Sequence, residues 1–305
     1  MMSNYPKKWK PWVAFAAVSF FWGTTYLAIR IGVQSFPPLL MAAFRHCLGG
    51  LVLCTYFMGV KGHKLPGKKT LYVVLINGVL MLVLGNGLVT WAEITVSSGL
   101  AALICSLTPV WIIGINAFGK YKEPITWNVV LGLMIALFGQ ALIFRDNLSD
   151  FSNPLYFWGI VAILIANAAW ALGSVYSKNH RSEMNPLFGA GLQMIAGGVI
   201  LLILGSIKGE WSHMHPNRDG ILALVYLFTF GSIIAYSAYM YILKALPASV
   251  VSSYAYINTI VAVFLGWFIL DEKLNFITLV AVFLTIAGVY LLNNTIQKSV
   301  PESKA

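Results

Sequence analysis

Charge is scarce in this chain. Only 10% of its 305 residues are Asp, Glu, Lys or Arg, ten of them acidic, and no carboxylate falls at the centre of an apolar run. A midplane carboxylate is the usual relay of proton- or sodium-coupled carriers, so its absence points away from that coupling, towards facilitated diffusion or exchange. Cysteine is scarcer still, at three residues. Cys47, Cys54 and Cys105 all lie in apolar stretches, where a free thiol behaves as a small hydrophobe. That excludes a disulfide framework and a thiolate metal centre. His213 and His215 have no further ligands at metal spacing, and no cofactor is expected. Gly62, Gly67 and Lys68 match most of a phosphate-binding loop. Lys69 stands where Ser or Thr is needed, however, and no strand precedes a short loop between apolar runs. Asn147-Leu148-Ser149 fits a glycosylation acceptor, which has meaning only in a eukaryotic secretory setting.

Hydrophobic residues are abundant: 59% of the chain, with a mean hydropathy of +0.78. Such a composition belongs in lipid rather than water. Apolar runs fall at 13–33, 38–59, 71–92, 98–118, 126–144, 156–177, 187–207, 220–243, 249–270 and 276–294, each near the ~20 residues a spanning helix needs. The expectation is an all-α integral membrane protein of ten transmembrane helices. The first run resembles a signal peptide but continues to Ile31 without a clear cleavage site, so it reads as the first span. The net charge of +10 is scattered between runs rather than gathered in a basic stripe, and no nucleic-acid partner is expected. With a cytoplasmic N-terminus, fourteen basic residues face inwards and five outwards, with Arg45 inside a span. The positive-inside rule thus predicts a multi-pass protein of the cell (inner) membrane with both termini cytoplasmic.

Sliding the chain along itself reveals a repeat. Trp22 meets Trp170, Arg30 meets Lys178 and Pro38 meets Pro186 at a shift of 148; Glu123 meets Glu272, and Gly132, Ala136 and Gly139 meet Ala281, Thr285 and Gly288, at 149. The halves run over 1–148 and 149–305. Five spans per half would put the second half into the membrane inverted, an architecture that builds two related gates around a central site. The small residues at spacing four let helices approach closely, read as packing within each half.

Polar side chains exposed to lipid are costly, so those inside spans should face neighbours or a cavity. The candidate lining is Trp22, Thr25, Tyr26, Asn86, Thr90, Ser106, Asn167, Trp170, Ser174, Tyr236, Tyr239, Tyr254 and Asn258. Any one of them can equally be interhelical glue. Arg45 and Glu93 are the candidate charge contacts, against the plainer readings of a structural hydrogen-bonding Arg and a solvated helix-end carboxylate. His46 reads as packing. Pro109 lacks the N–H that would hold the fourth span straight.

Trp22-Gly23-Thr24-Thr25-Tyr26, Pro37-Pro38 before Arg45, Gly85-Asn86-Gly87, Ser106-Leu107-Thr108-Pro109, Gly231-Ser232, Ser253-Tyr254-Ala255-Tyr256, Gly266-Trp267 and Asp271-Glu272, in this order, resemble the EamA-type permeases of the drug/metabolite transporter (DMT) superfamily over nearly the whole chain. Around Trp22, Gly85 and Tyr254 the detail resembles the YedA-like bacterial inner-membrane permeases. The resemblance implies ten spans in two inverted five-helix repeats and a central cavity lined by the first, third, fourth, sixth, eighth and ninth helices. It also implies alternating access, and commonly efflux of amino acids or other metabolites. The family usually has Asn-Pro where Asn258-Thr259 stands, which puts a bend of the ninth helix in question. The expected protein is a transporter and not an enzyme, a monomer or weak homodimer in the lipid bilayer acting on a small-molecule substrate. A membrane-embedded lipid-modifying enzyme would need His clusters or paired carboxylates, and a channel or receptor a ring of like charge or a large outer domain.

Overall fold

The computed structural model describes residues 9–118, 127–146, 153–180, 183–246 and 248–299. Lys7, Lys8, Lys120, Lys122, Arg181 and Lys304 of the charge asymmetry, Glu123 of the repeat, and Asn147-Leu148-Ser149 lie outside the described residues. Within them the chain is helical and holds no strand, as expected where backbone polar groups must be satisfied inside each segment. The helices are α1 (Lys10–Gly32), α2 (Pro38–Val60), α3 (Lys68–Ala92), α4 in two pieces (Ser98–Cys105 and Thr108–Phe118), α5 (Trp127–Asp146), α6 (Pro154–Asn179), α7 (Pro186–Ile207), α8 (Arg218–Ala245), α9 in two pieces (Ala248–Ser252 and Tyr254–Leu270) and α10 (Phe276–Ser299). Seven of them, α1 to α4 and α6 to α8, are long and apolar enough to cross a membrane; Tyr254–Leu270 and Phe276–Gly288 are shorter apolar helices. Phe20, Leu51, Ile203, Phe268 and Phe283 are each more than half exposed, an outer surface suited to lipid.

The helix starts follow from local chemistry. Pro38 and Pro186, partners in the repeat, occupy the first turns of α2 and α7, where a missing N–H loses nothing. Asn185 accepts from the Leu187 amide at 2.9 Å, and Asn217 from that of Gly220 at 2.8 Å. Two glutamates cap helices from far along the chain. Glu210 accepts the Leu40 amide of α2 at 2.9 Å. Glu272 accepts from the Ser98 amide and hydroxyl, both at 2.8 Å, and from the Gly99 amide at 3.1 Å. A carboxylate there also meets the positive end of the α4 dipole. The bare Gly266 leaves the space Glu272 fills, since a Cβ would collide with its carboxylate.

The repeat is visible in the irregularities. α3 widens to i→i+5 hydrogen bonding over Gly78–Gly87 and α8 does so over Leu227–Tyr236, two ten-residue stretches offset by 149. Widened turns of this kind are frequent at functional sites. α4 breaks at Ser106-Leu107: Pro109 cannot donate to the Cys105 carbonyl, and the Thr108 hydroxyl reaches it instead at 2.7 Å. α9 breaks as well, at Ser253, upstream of Asn258, and then runs unbroken through Asn258-Thr259. The expected question about the missing proline thus resolves into an interruption placed five residues earlier.

The small-residue stripes do not pack within each half, as their spacing suggested, but across the halves. A Cβ on Gly139 of α5 would lie 2.9 Å from the Ala281 carbonyl of α10, and one on Gly50 of α2 would lie 2.7 Å from the Gly191 carbonyl and 2.8 Å from the Ile195 amide of α7. Because the atoms facing Gly50 are backbone, they cannot swing aside. Gly50→Leu is therefore expected to destabilise the fold by about 1–3 kcal/mol or more, read as a lower melting temperature in detergent. An unchanged melting temperature would show that α2 and α7 do not meet at this glycine.

Candidate functional site

The widened turns of α3 and α8 and the break in α4 surround a cavity of about 640 Å³, open solvent at its mouth included. Of the sequence candidates, Trp22, Thr25, Tyr26, Asn86, Asn167, Trp170, Tyr236, Tyr254, Asn258 and Arg45 line it. Trp22 and Trp170, partners in the repeat, meet edge to face at 5.1 Å. Tyr239 and Tyr254 pack against them at 5.0 to 5.3 Å and 5.1 Å to complete an aromatic box. Gly85 admits this box, since a Cβ there would sit 3.0 Å from the Trp170 ring.

Five candidates stand behind the wall. Tyr239 supports the box from outside the lining and shares a 2.7 Å hydrogen bond with Ser174, which is bonded in turn to the Trp170 carbonyl. Thr90 donates to the Asn86 carbonyl at 2.9 Å and Ser106 to the Leu103 carbonyl at 2.6 Å, so both hydroxyls serve their own helices. Glu93 is wholly buried beneath the lining, which overturns its reading as a solvated helix-end charge.

His46 corrects a second expectation. Read from the sequence as packing, it lines the cavity, lies 3.1 Å from Asn86 Oδ1 and 3.5 Å from Ser232 Oγ, and so belongs to a polar chain with Arg45, whose Nε donates to Ser232 at 3.1 Å. α8 comes close to α2 at Gly231, where a Cβ would lie 2.7 Å from Arg45 Nη2. Thr108 and Cys105 also line the site. The Thr108 hydroxyl is 2.5 Å from Asn167 Oδ1, while Asn167 donates to the Ile104 carbonyl at 2.9 Å, so Asn167 of α6 holds the α4 break open to the cavity.

Three buried polar atoms on these lining residues are left to a ligand in whole or in part: Arg45 Nη1 and Asn258 Oδ1, which have no protein partner, and Trp170 Nε1, which has only the hydroxyls of Tyr239 and Tyr254 near it. Two are donors and one an acceptor. Trp22 Nε1, by contrast, donates to the Gly231 carbonyl at 3.1 Å.

In each half a cation from the first helix ties down the turn after the third. Arg30 Nη1 donates to the carbonyls of Glu93 and, at 2.8 Å, Ile94. Lys178, its repeat partner, donates to the carbonyls of Leu243, at 2.8 Å, and Leu246. Below the cavity on the Lys178 side lies a second space of about 560 Å³. Tyr236 lines the first and Gln193 the second, and their 2.6 Å hydrogen bond is part of the partition.

The model of the EamA-like transporter family matches twice, over residues 10–145 and 157–294. The chain is 38% identical over 281 residues to the uncharacterized inner membrane transporter YedA of Escherichia coli K12, covering 91% of this chain and 89% of that one. It is 26% identical to the uncharacterized transporter YvbV of Bacillus subtilis, over 89% and 88% of the two chains. To a WAT1-related chloroplastic protein of Arabidopsis thaliana it is 25% identical, over 92% of this chain and 69% of the other. A solved crystal structure 20% identical in sequence superposes with a TM-score of 0.70 over 94% of this chain and 98% of its own.

Proposed function

The chain belongs to the EamA-like transporter family, a membrane transporter and not an enzyme, and from that premise we propose that it carries an amino acid or a similar small zwitterion by alternating access, as export or facilitated exchange. The observation that carries the substrate class is the set of buried polar atoms left to a ligand on the cavity wall. Buried polar groups are normally hydrogen-bonded, so a ligand that satisfies all three is favoured. An α-amino acid carries the matching groups: a carboxylate for the donors of Arg45 and Trp170 and an ammonium for Asn258 Oδ1, with cation–π attraction from the lining aromatic rings available to the ammonium.

The reading includes ten spans in two inverted halves, cytoplasmic termini and residence in the inner membrane, as monomer or weak homodimer. The paired cation latches support the inversion, because related gates at opposite ends are what inverted repeats build. The test is purified protein in liposomes, screened without ATP for exchange of radiolabelled amino acids against decarboxylated amines and amino-acid amides. Exchange of amino acids and exclusion of both analogue sets is the expected result. Exchange of amines alone would remove Arg45 from the site.

A further inference from the structure

Glu93 is the first residue past α3, in the turn that leads to α4, and neither of its carboxyl oxygens has a protein partner although the residue is 0% exposed. It adjoins the cavity without lining it. Val89, one turn earlier on the same face, is part of the wall, and the Glu93 amide donates to its carbonyl at 3.0 Å. The titratable and charged groups that face it are Tyr26 and Arg30 of α1, Arg45 of α2, Cys105 of α4 and Glu272 from the link between α9 and α10. The strongest hydrogen bonds these make go elsewhere: Arg30 to the Glu93 and Ile94 carbonyls, Arg45 Nε to Ser232, and Glu272 to the start of α4.

The fold does not require an acid here. The position equivalent by the repeat is Ile242, also 0% exposed, in the main hydrophobic cluster, and the Lys178 latch beside it is made all the same. A partnerless buried carboxylate is far costlier than the neutral acid.

We propose that Glu93 is a proton-binding site that couples protonation to the outer latch and, through Arg45, to the cavity. With the latch made, Arg30 is committed to two backbone carbonyls and the carboxyl is neutral in dry surroundings. When α1 leaves the α3–α4 turn, water reaches Glu93, its O–H passes the proton to water, and the carboxylate becomes a counter-ion for Arg30. Closing the latch takes one proton back. A substrate carboxylate on Arg45 cancels positive charge that favours ionised Glu93, so substrate and proton bind cooperatively. This last step rests on the carboxylate reading of the cavity; the proton site does not.

Infrared difference spectroscopy of the protein in liposomes, stepped through pH in light and heavy water, tests the site without any substrate. The expected result is a protonated-carboxyl stretch that shifts in heavy water, fades as pH rises, is lost in Glu93→Gln and returns displaced in Glu93→Asp. A band unchanged in Glu93→Gln, or no such band in the folded wild type, overturns the proposal. Should Glu93→Gln fail to fold by gel filtration, a band identical in wild type and Glu93→Asp overturns it equally. In transport, the rate at which wild type exchanges a radiolabelled neutral amino-acid mixture should depend on the pH of the outer face, which supplies the proton for closing the latch, and that dependence should be lost in Glu93→Gln; a dependence that persists overturns the coupling. Absence of any flux of the mixture counts against the amino-acid reading alone, and the infrared band still decides the proton site.

Discussion

Arg45→Gln is expected to lower carrier-mediated exchange of amino acids by about a hundred- to a thousandfold while the protein still folds. Arg45 is 2% exposed and inside a membrane bundle, where removing one partner of a buried charge pair costs about 3–5 kcal/mol, and each 1.4 kcal/mol is about a factor of ten. The control is the carboxamide analogue of the same solute, which has no negative charge to lose. Its residual flux should be the same in wild type and variant. Arg45→Lys keeps the charge but lacks the planar fork that bonds Ser232 with one nitrogen and leaves another for ligand, so an intermediate loss is expected. Gly231→Ala should reproduce part of the defect, because the added Cβ would displace Nη2. Equal losses for acid and amide would mean that Arg45 only holds α2 to α8.

The helices were legible because apolar runs of membrane length leave a chain few other choices, and the breaks were legible where proline enforces one, as at Pro109. The repeat partners Trp22 and Trp170 could be paired from the sequence, though not their contact at 5.1 Å. What escaped was direction. The hydroxyls of Thr25, Thr90 and Ser106 all bond their own helices, yet of the three only Thr25 is also part of the cavity wall, and spacing alone does not separate these. Glu93 was misread for the same reason: a carboxylate at a helix end is ordinarily wet, and only the packing of α1 and α4 over the turn buries it. His46 was hidden because its partner Asn86 lies forty residues away on another helix.

Opposite changes in access are expected from breaking the two latches. Arg30→Ala removes the hydrogen bonds to Glu93 and Ile94, and Lys178→Ala those to Leu243 and Leu246. Charged hydrogen bonds of this kind are worth about 1.5–3 kcal/mol each, enough to shift an equilibrium between two closed ends by about ten- to a hundredfold. Cys105 reports the shift, since it lines the cavity; with Cys47 and Cys54 replaced by alanine it is the remaining thiol. In vesicles of known orientation, an impermeant maleimide should label Cys105 in Arg30→Ala faster from the outer face and more slowly from the cytoplasmic face, and Lys178→Ala should reverse both. The double variant should return towards wild type in ratio while labelling faster from both sides, because each latch opposes the opening at its own end. If both single variants sped labelling from the same face, the two cations would share one gate and the inverted arrangement of the halves would fail with it.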